Sequence, residues 1–277
     1  SHRLFGYIIT DISKNTHLED FFNIAVEHAA TVLTLDYQKQ TLRRQIESRY
    51  RDLFVQDLIL DNVQSLEEIE NRASHFGWKF ETALTAVLVD IDDFKLKTIQ
   101  TISRKDQYYI EDIKDSIFHS AVQKLNHYFP GSIYTSFSDV LICLVALQQN
   151  NINDAMQQLE NICDEIRGKS IDKGFTATIG IGNYYPSVMD VHKSYKEAQK
   201  AVKLARMQYK GNRTVFYSEL GAYRLLGSIY GTEEAHEFCQ HYLGKIIEYD
   251  KRHNTELMLT LWSIVKHDWN LKSSAEE

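Results

Sequence analysis

The chain has 277 residues, 43% of them hydrophobic and 25% charged, the make-up of an ordinary globular protein of two or three compact units. Its net charge of −7 excludes a molecule that grips a nucleic acid duplex over its whole surface, because phosphate neutralisation needs a basic face. Twelve glycines and only two prolines favour long helices over a loop-rich β fold. No apolar run approaches the roughly 20 residues that span a bilayer, so no membrane partner is expected. The three cysteines, Cys143, Cys163 and Cys239, form no CxxC pair and are read as buried free thiols in a reducing, cytoplasmic compartment.

In chain order, residues 4–10 (LFGYIIT) read as a strand belonging to a domain that begins before the sequence does. Residues 17–62 carry apolar side chains every three or four positions with no Gly or Pro to interrupt them. That length is far above the usual helix of about 11–12 residues. It predicts either a parallel coiled-coil connector or two helices with a kink. The basic cluster Lys39, Arg43, Arg44, Arg49 and Arg51 is read as a solvated helix face rather than a nucleic-acid contact. Ser65 is placed as an N-cap with Glu68 at the capping-box position, opening a helix that ends at Gly77.

Alternating elements follow: a strand at 82–91, a helix at 107–128, a hairpin of 132–137 and 140–147, and a helix at 152–167. A strand at 175–181, a helix at 188–207 and a strand at 214–217 complete the set. The pattern predicts an α+β fold, a mixed sheet with helices covering one face. Residues 218–277 read as helices only, with six Lys/Arg against ten Asp/Glu, and 270–275 reads as the opening of a further helix.

The sharpest chemical signal is Val87-Leu-Val-Asp90-Ile-Asp92-Asp93-Phe94-Lys95. An apolar strand ending in DxD can present carboxylates to Mg²⁺ and a triphosphate, although acidic residues at a strand end are commonly solvated turn residues. LVDIDDFK resembles the first strand of GGDEF domains, where the first Asp holds a metal. The resemblance puts the family's signature hairpin at Ser136-Phe137-Ser138-Asp139-Val140. There Ser136 and Phe137 stand in place of the paired glycines, Ser138 replaces a metal-binding carboxylate, and only Asp139 remains acidic. Thr98-Ile99 stands where the family's N-D-x-x-G-H segment would hold substrate.

Thr178-Ile-Gly-Ile-Gly182, with Ser194-Tyr195-Lys-Glu197-Ala198, is similar to the strand–helix segment of GGDEF-like domains in bacterial regulators. Gly180-Ile-Gly182 alone is a weak phosphate-loop signal. Ala198, Ala201 and Ala205 are spaced as a close-packing face, and Tyr195 is read as a packed aromatic. The flanks, 47–60, 217–226 and 243–261, resemble the segments that bracket this domain in PucR/CdaR-type transcription regulators.

That resemblance implies a degenerate GGDEF-like (ferredoxin/cyclase-like) domain at 65–217. Before it come the end of a GAF-like sensor at 1–37 and a connector helix at 38–64. After it, 218–277 leads into a helix-turn-helix that lies mostly outside the sequence. The expected function is that of a homodimeric regulatory segment, relaying a small-molecule effector signal to DNA through that helix-turn-helix. No catalytic residue, cofactor site or metal site is assigned. Two alternatives stay open: a GGDEF-like domain that binds GTP or a cyclic dinucleotide without turnover, and a divergent diguanylate cyclase using Asp90, Asp92 and Asp139.

Overall fold

The computed structural model describes residues 19–100, 104–147, 152–229 and 231–275. The strand expected at 4–10 lies outside them. The chain divides into two compact units, one ending at Ser218 and one beginning at Glu219.

The first unit opens with α1 (Glu19–Leu60), a single helix of 42 residues. Its uninterrupted sequence explains its length, and it runs as one helix rather than as two. Ser65 caps α2 (Leu66–Ser74), its Oγ accepting the Glu68 N–H at 3.2 Å. This helix stops at Ser74, three residues before the expected Gly77, which takes φ +70 in the turn beyond it.

Then come β1 (Ala83–Ile91), α3 (Phe94–Gln100), α4 (Arg104–Tyr128), β2 (Ile133–Phe137), β3 (Val140–Leu147), α5 (Ile152–Asp172) and β4 (Ala177–Ile181). The unit is completed by α6 (Val191–Tyr209) and β5 (Thr214–Phe216). Helix α3 is absent from the sequence reading, because its seven residues, FKLKTIQ, are too short to show a periodicity.

The five strands form one mixed sheet in the order β2-β3-β1-β4-β5, antiparallel except for the parallel β4–β5 pair. Helices cover both faces, which corrects the expectation of one covered face. On one side Val87, Val89 and Ile91 of β1 pack with Phe118 and Leu125 of α4 and Ile162 and Ile166 of α5. On the other, Leu84, Ala86 and Leu88 meet Phe54, Val55, Leu58 and Ile59 of α1, together with α2 and α6. The physical reason stands in the sequence of β1: residues 83–89 are all apolar or Thr, a continuous run that suits burial on both faces.

Cys143 and Cys163 are buried within the first core, and burial pushes the Cys143 thiol up to about 12, so neither is a reactive thiolate at neutral pH. Cys239 is exposed, contrary to expectation. It lies on a helix with no buried residue.

The second unit is helical: α7 (Tyr223–Ile229), α8 (Glu233–His253), α9 (Leu257–Lys266) and α10 (Leu271–Ala275). Thr232 caps α8 through the Ala235 N–H. Asp250 links α8 to α9 by accepting from the Leu257 and Met258 N–H groups at 2.9 Å each and from the Thr255 hydroxyl at 2.7 Å. These donors hold its carboxyl below the usual range, the Met258 N–H foremost. Among the described residues no helix is long and apolar enough to cross a membrane.

Candidate functional site

The register of the sheet gathers the acidic residues at one end. Asp90 lies opposite Val140 of β3 and Thr178 of β4. The Asp92 N–H donates to the Thr176 carbonyl and the Ile91 N–H to the Asp139 carbonyl. Phe137 pairs with Val140, so Ser138 and Asp139 form the two-residue hairpin turn. Ser138 takes φ +56, a conformation that glycine adopts without cost and that here falls to a serine.

Sequence reasoning missed the group that organises this end of the sheet, Arg206 of α6. Its Nη1 donates to Asp90 Oδ2 at 2.8 Å, while Nη2 and Nε donate to Asp92 Oδ1 at 2.9 and 3.1 Å. Asp92 is further held by the Thr178 hydroxyl at 2.7 Å and the Asn212 N–H at 3.1 Å. Gly211, at φ +90, lets the loop close this tightly, since a Cβ there would sit about 3.1 Å from both Asp92 oxygens. The signal for Arg206 was present: Ser194, Ala198 and Val202 form a buried stripe every four residues, and Arg206 extends it. A cation at the end of a buried stripe calls for a carboxylate opposite.

Burial pushes the Asp90 carboxyl up, against the pull of Arg206. Both carboxylates hold the Arg206 guanidinium above its ordinary value despite its own burial. Asp139 behaves differently. Burial acts to raise it, but hydrogen bonds from its own backbone and from Ser138, with Lys95 Nζ at 3.2 Å, hold it below the usual range.

Two divalent cations do not fit this arrangement. Mg²⁺ needs free carboxylate oxygens in near-octahedral geometry. Here the lone pairs of Asp92 are taken by Arg206, Thr178 and Asn212, Asp90 is tied to the same guanidinium, and Ser138 offers a hydroxyl in place of a carboxylate. Asp90, Asp92 and Asp139 are brought to one end of the sheet, but as members of three ion pairs, two with Arg206 and one with Lys95.

Gly180 and Gly182, the weak phosphate-loop signal, have a packing role. A Cβ at Gly182 would lie 2.1 Å from the Ser194 carbonyl oxygen, and one at Gly180 would lie 2.3 Å from that of Ala198. Without Cβ atoms there, α6 lies directly on β4 and reaches β1, where Ser194 Oγ accepts the Ala86 N–H at 2.8 Å. Glu197 ties the following loop, accepting from the Asn183 N–H and the Tyr185 hydroxyl at 2.8 and 3.0 Å. Tyr195 accepts from Gln199 at 2.9 Å and lines an open cleft of about 600 Å³ between α1, the sheet and α6.

A mixed sheet with the order β2-β3-β1-β4-β5, a DxD at the end of its central strand and a two-residue signature turn define a GGDEF-like domain. The family model described as "GGDEF-like domain" matches residues 61–204, and the chain belongs to that family.

Among individual proteins, the proline-responsive transcriptional activator PutR of Bacillus subtilis (strain 168) is 24% identical over 280 residues. The match takes in 98% of this chain and 63% of that protein, so the chain spans less than two thirds of its relative's length. Two solved structures are also similar. The active GGEEF domain of a diguanylate cyclase from Vibrio cholerae shares 14% identity, with 53% of this chain and 88% of that one covered and a TM-score of 0.35. The diguanylate cyclase SiaD of Pseudomonas aeruginosa, in complex with its activator SiaC, shares 15% identity, with 72% and 81% covered and a TM-score of 0.33. At scores this low, the family match and the sheet topology are what define the fold.

Proposed function

We propose that this chain is the dimerising relay segment of a PucR/CdaR-type transcription regulator, with a GGDEF-like domain that serves as a scaffold and not as an enzyme. In this reading residues 1–37 end a GAF-like sensor and 38–64 connect it to the domain at 65–217. Residues 218–277 lead to a helix-turn-helix that would contact DNA. The likeness to PutR, a transcriptional activator by name, supports the regulatory role. The engagement of Asp90 and Asp92 by Arg206 supports the scaffold role.

The observation that carries the proposal is the free face of α1. Val32, Leu35, Leu42, Ile46 and Leu53 recur at alternating three- and four-residue steps of a heptad, with Lys39 and Arg49 at the two intervening core positions. Each of the five apolar residues is between 47% and 64% exposed. Such a stripe is the seam of a left-handed coiled coil, and sparse polar core positions set register at some cost in stability. A second copy in parallel would align the two sensor ends, so that an effector-driven change would travel along α1 and alter the spacing of two DNA-binding units.

The test is a Leu42→Cys variant in a Cys239→Ser background. Mild oxidation is expected to give a covalent dimer linked at position 42, since equivalent core positions face one another in a parallel coil. A chain that stays uncrosslinked contradicts the proposed arrangement. Incubation with GTP and Mg²⁺ or Mn²⁺ is expected to yield no cyclic dinucleotide, and product formation would overturn the scaffold reading.

A further inference from the structure

We infer that the cleft between α1 and α2 is a binding site for a small organic anion, a flat apolar ring bearing one carboxylate or phosphate. This cavity of about 990 Å³ lies on the side of α1 turned away from the heptad stripe. Its volume is at the upper end of small-molecule sites, about 300–1,000 Å³.

Three rings form its floor. Phe54 lies 6.2 Å from Phe76 and 6.0 Å from Trp78, and Phe76 lies 5.0 Å from Trp78, all between ring centroids. Trp78 and Phe76 are only partly buried, so ring surface remains open for stacking.

Its walls are cationic. Arg72 lies 4.7 Å over the Phe54 ring, and Asp57 and Glu68 already neutralise it, at 2.7 and 3.5 Å. Arg51 differs. Its guanidinium lies 6.0 Å over the Tyr134 ring and its Nη2 donates to Ser48 Oγ at a long 3.3 Å, but among the described residues no carboxylate pairs with it and its Nε is buried without an acceptor. A partly buried guanidinium with an unsatisfied N–H is a strong donor to an anionic ligand, and this one lines the cleft. Arg44, two turns earlier on the same face of α1, adds a second cation that pairs with no acid among the described residues, and His75 lies across the cleft. Glu47, the acid on the cleft's rim, is held by Arg43 at 3.2 Å.

A ring on the aromatic floor would point its anionic group at Arg51 and Arg44, giving a charge-assisted fork of the kind that favours arginine. Ring and charge are both needed: stacking alone does not satisfy Arg51, and a bare inorganic anion would leave the floor wet. The site does not depend on the dimer proposal, because the heptad stripe occupies the opposite side of the helix.

The inference is tested by calorimetric titration of the full chain with indole-3-acetate, 4-hydroxybenzoate and adenosine 5′-monophosphate, with indole-3-acetamide as the neutral isostere. At least one anion is expected to bind saturably. For that anion, Arg51→Gln and Arg44→Gln should each weaken binding by about tenfold or more, the scale of one lost charge-assisted contact. Trp78→Leu should weaken that anion as well, because it removes ring surface from the floor. Far-ultraviolet circular dichroism confirms that each variant is folded, and the exposed Arg44 provides the test if Arg51→Gln is not. Absence of saturable binding by all three anions, equal binding of indole-3-acetate and its amide, or unchanged affinity in both arginine variants would overturn the inference.

Discussion

Before residue 54, α1 turns Val32, Leu35, Leu42, Ile46 and Leu53 to solvent, whereas its last two turns bury Phe54, Val55, Leu58 and Ile59 against the sheet. Both stretches carry aliphatic side chains at helical spacing. What differs is where the partner comes from: the domain supplies it for the second, and nothing in the described first unit supplies it for the first. A lone helix gains little from propensity alone and depends on packing for most of its stability. In the proposed reading the exposed stripe is the seam for a second copy, while the packed end joins α1 to the domain.

The largest expected effect breaks the packed end. Phe54, 1% exposed and stacked with Phe76 and Trp78, should cost about 4 kcal/mol of unfolding free energy when changed to Ala. Urea titration of the domain would read this. Next comes Gly182→Ala, which forces a Cβ onto the Ser194 carbonyl oxygen and should cost about 3 kcal/mol. Gly168→Ala in α5, where a Cβ meets nothing within 4 Å, should instead gain up to about 1 kcal/mol. Similar losses at both positions would contradict the close-approach account.

Ile46→Asp acts on the free end. It should cost the seam roughly 2 kcal/mol for each aliphatic side chain removed, leaving the urea midpoint of the isolated domain's transition unchanged. A lowered midpoint would mean that this face of α1 already packs within its own chain.

The smallest effect concerns pH. The folded-state value of Asp139 is held down, so its contribution is complete above the ordinary carboxylate value and is lost as pH falls through the lowered one. Asp139→Asn should flatten the stability profile below the ordinary carboxylate range by less than about 1 kcal/mol, because Lys95 is solvent-exposed. Asp90, pushed up by burial, works in the opposite direction and gains stability as it is protonated. A profile that steepens in the Asp139→Asn variant would contradict this assignment.

Much of the fold was legible because its signals are local. The hairpin of β2 and β3 follows from two apolar runs around a short polar turn, and the N-cap Ser65 from its spacing to Glu68. Two-sided burial could have been read from the unbroken apolar run of β1, but alternating helices and strands fit one covered face equally well. The stripe that ends in Arg206 is visible in the sequence, but its partners are not, because they lie 114 and 116 residues away and meet it only once α6 crosses the sheet. The role of Gly180 and Gly182 was obscured for the same reason: the backbone that crowds them belongs to another element.

Sedimentation equilibrium of the unaltered chain at tens of micromolar tests the free seam of α1 most directly. The account predicts the mass of two chains, falling to one in the Ile46→Asp variant. A single-chain mass for the unaltered protein under those conditions would contradict it.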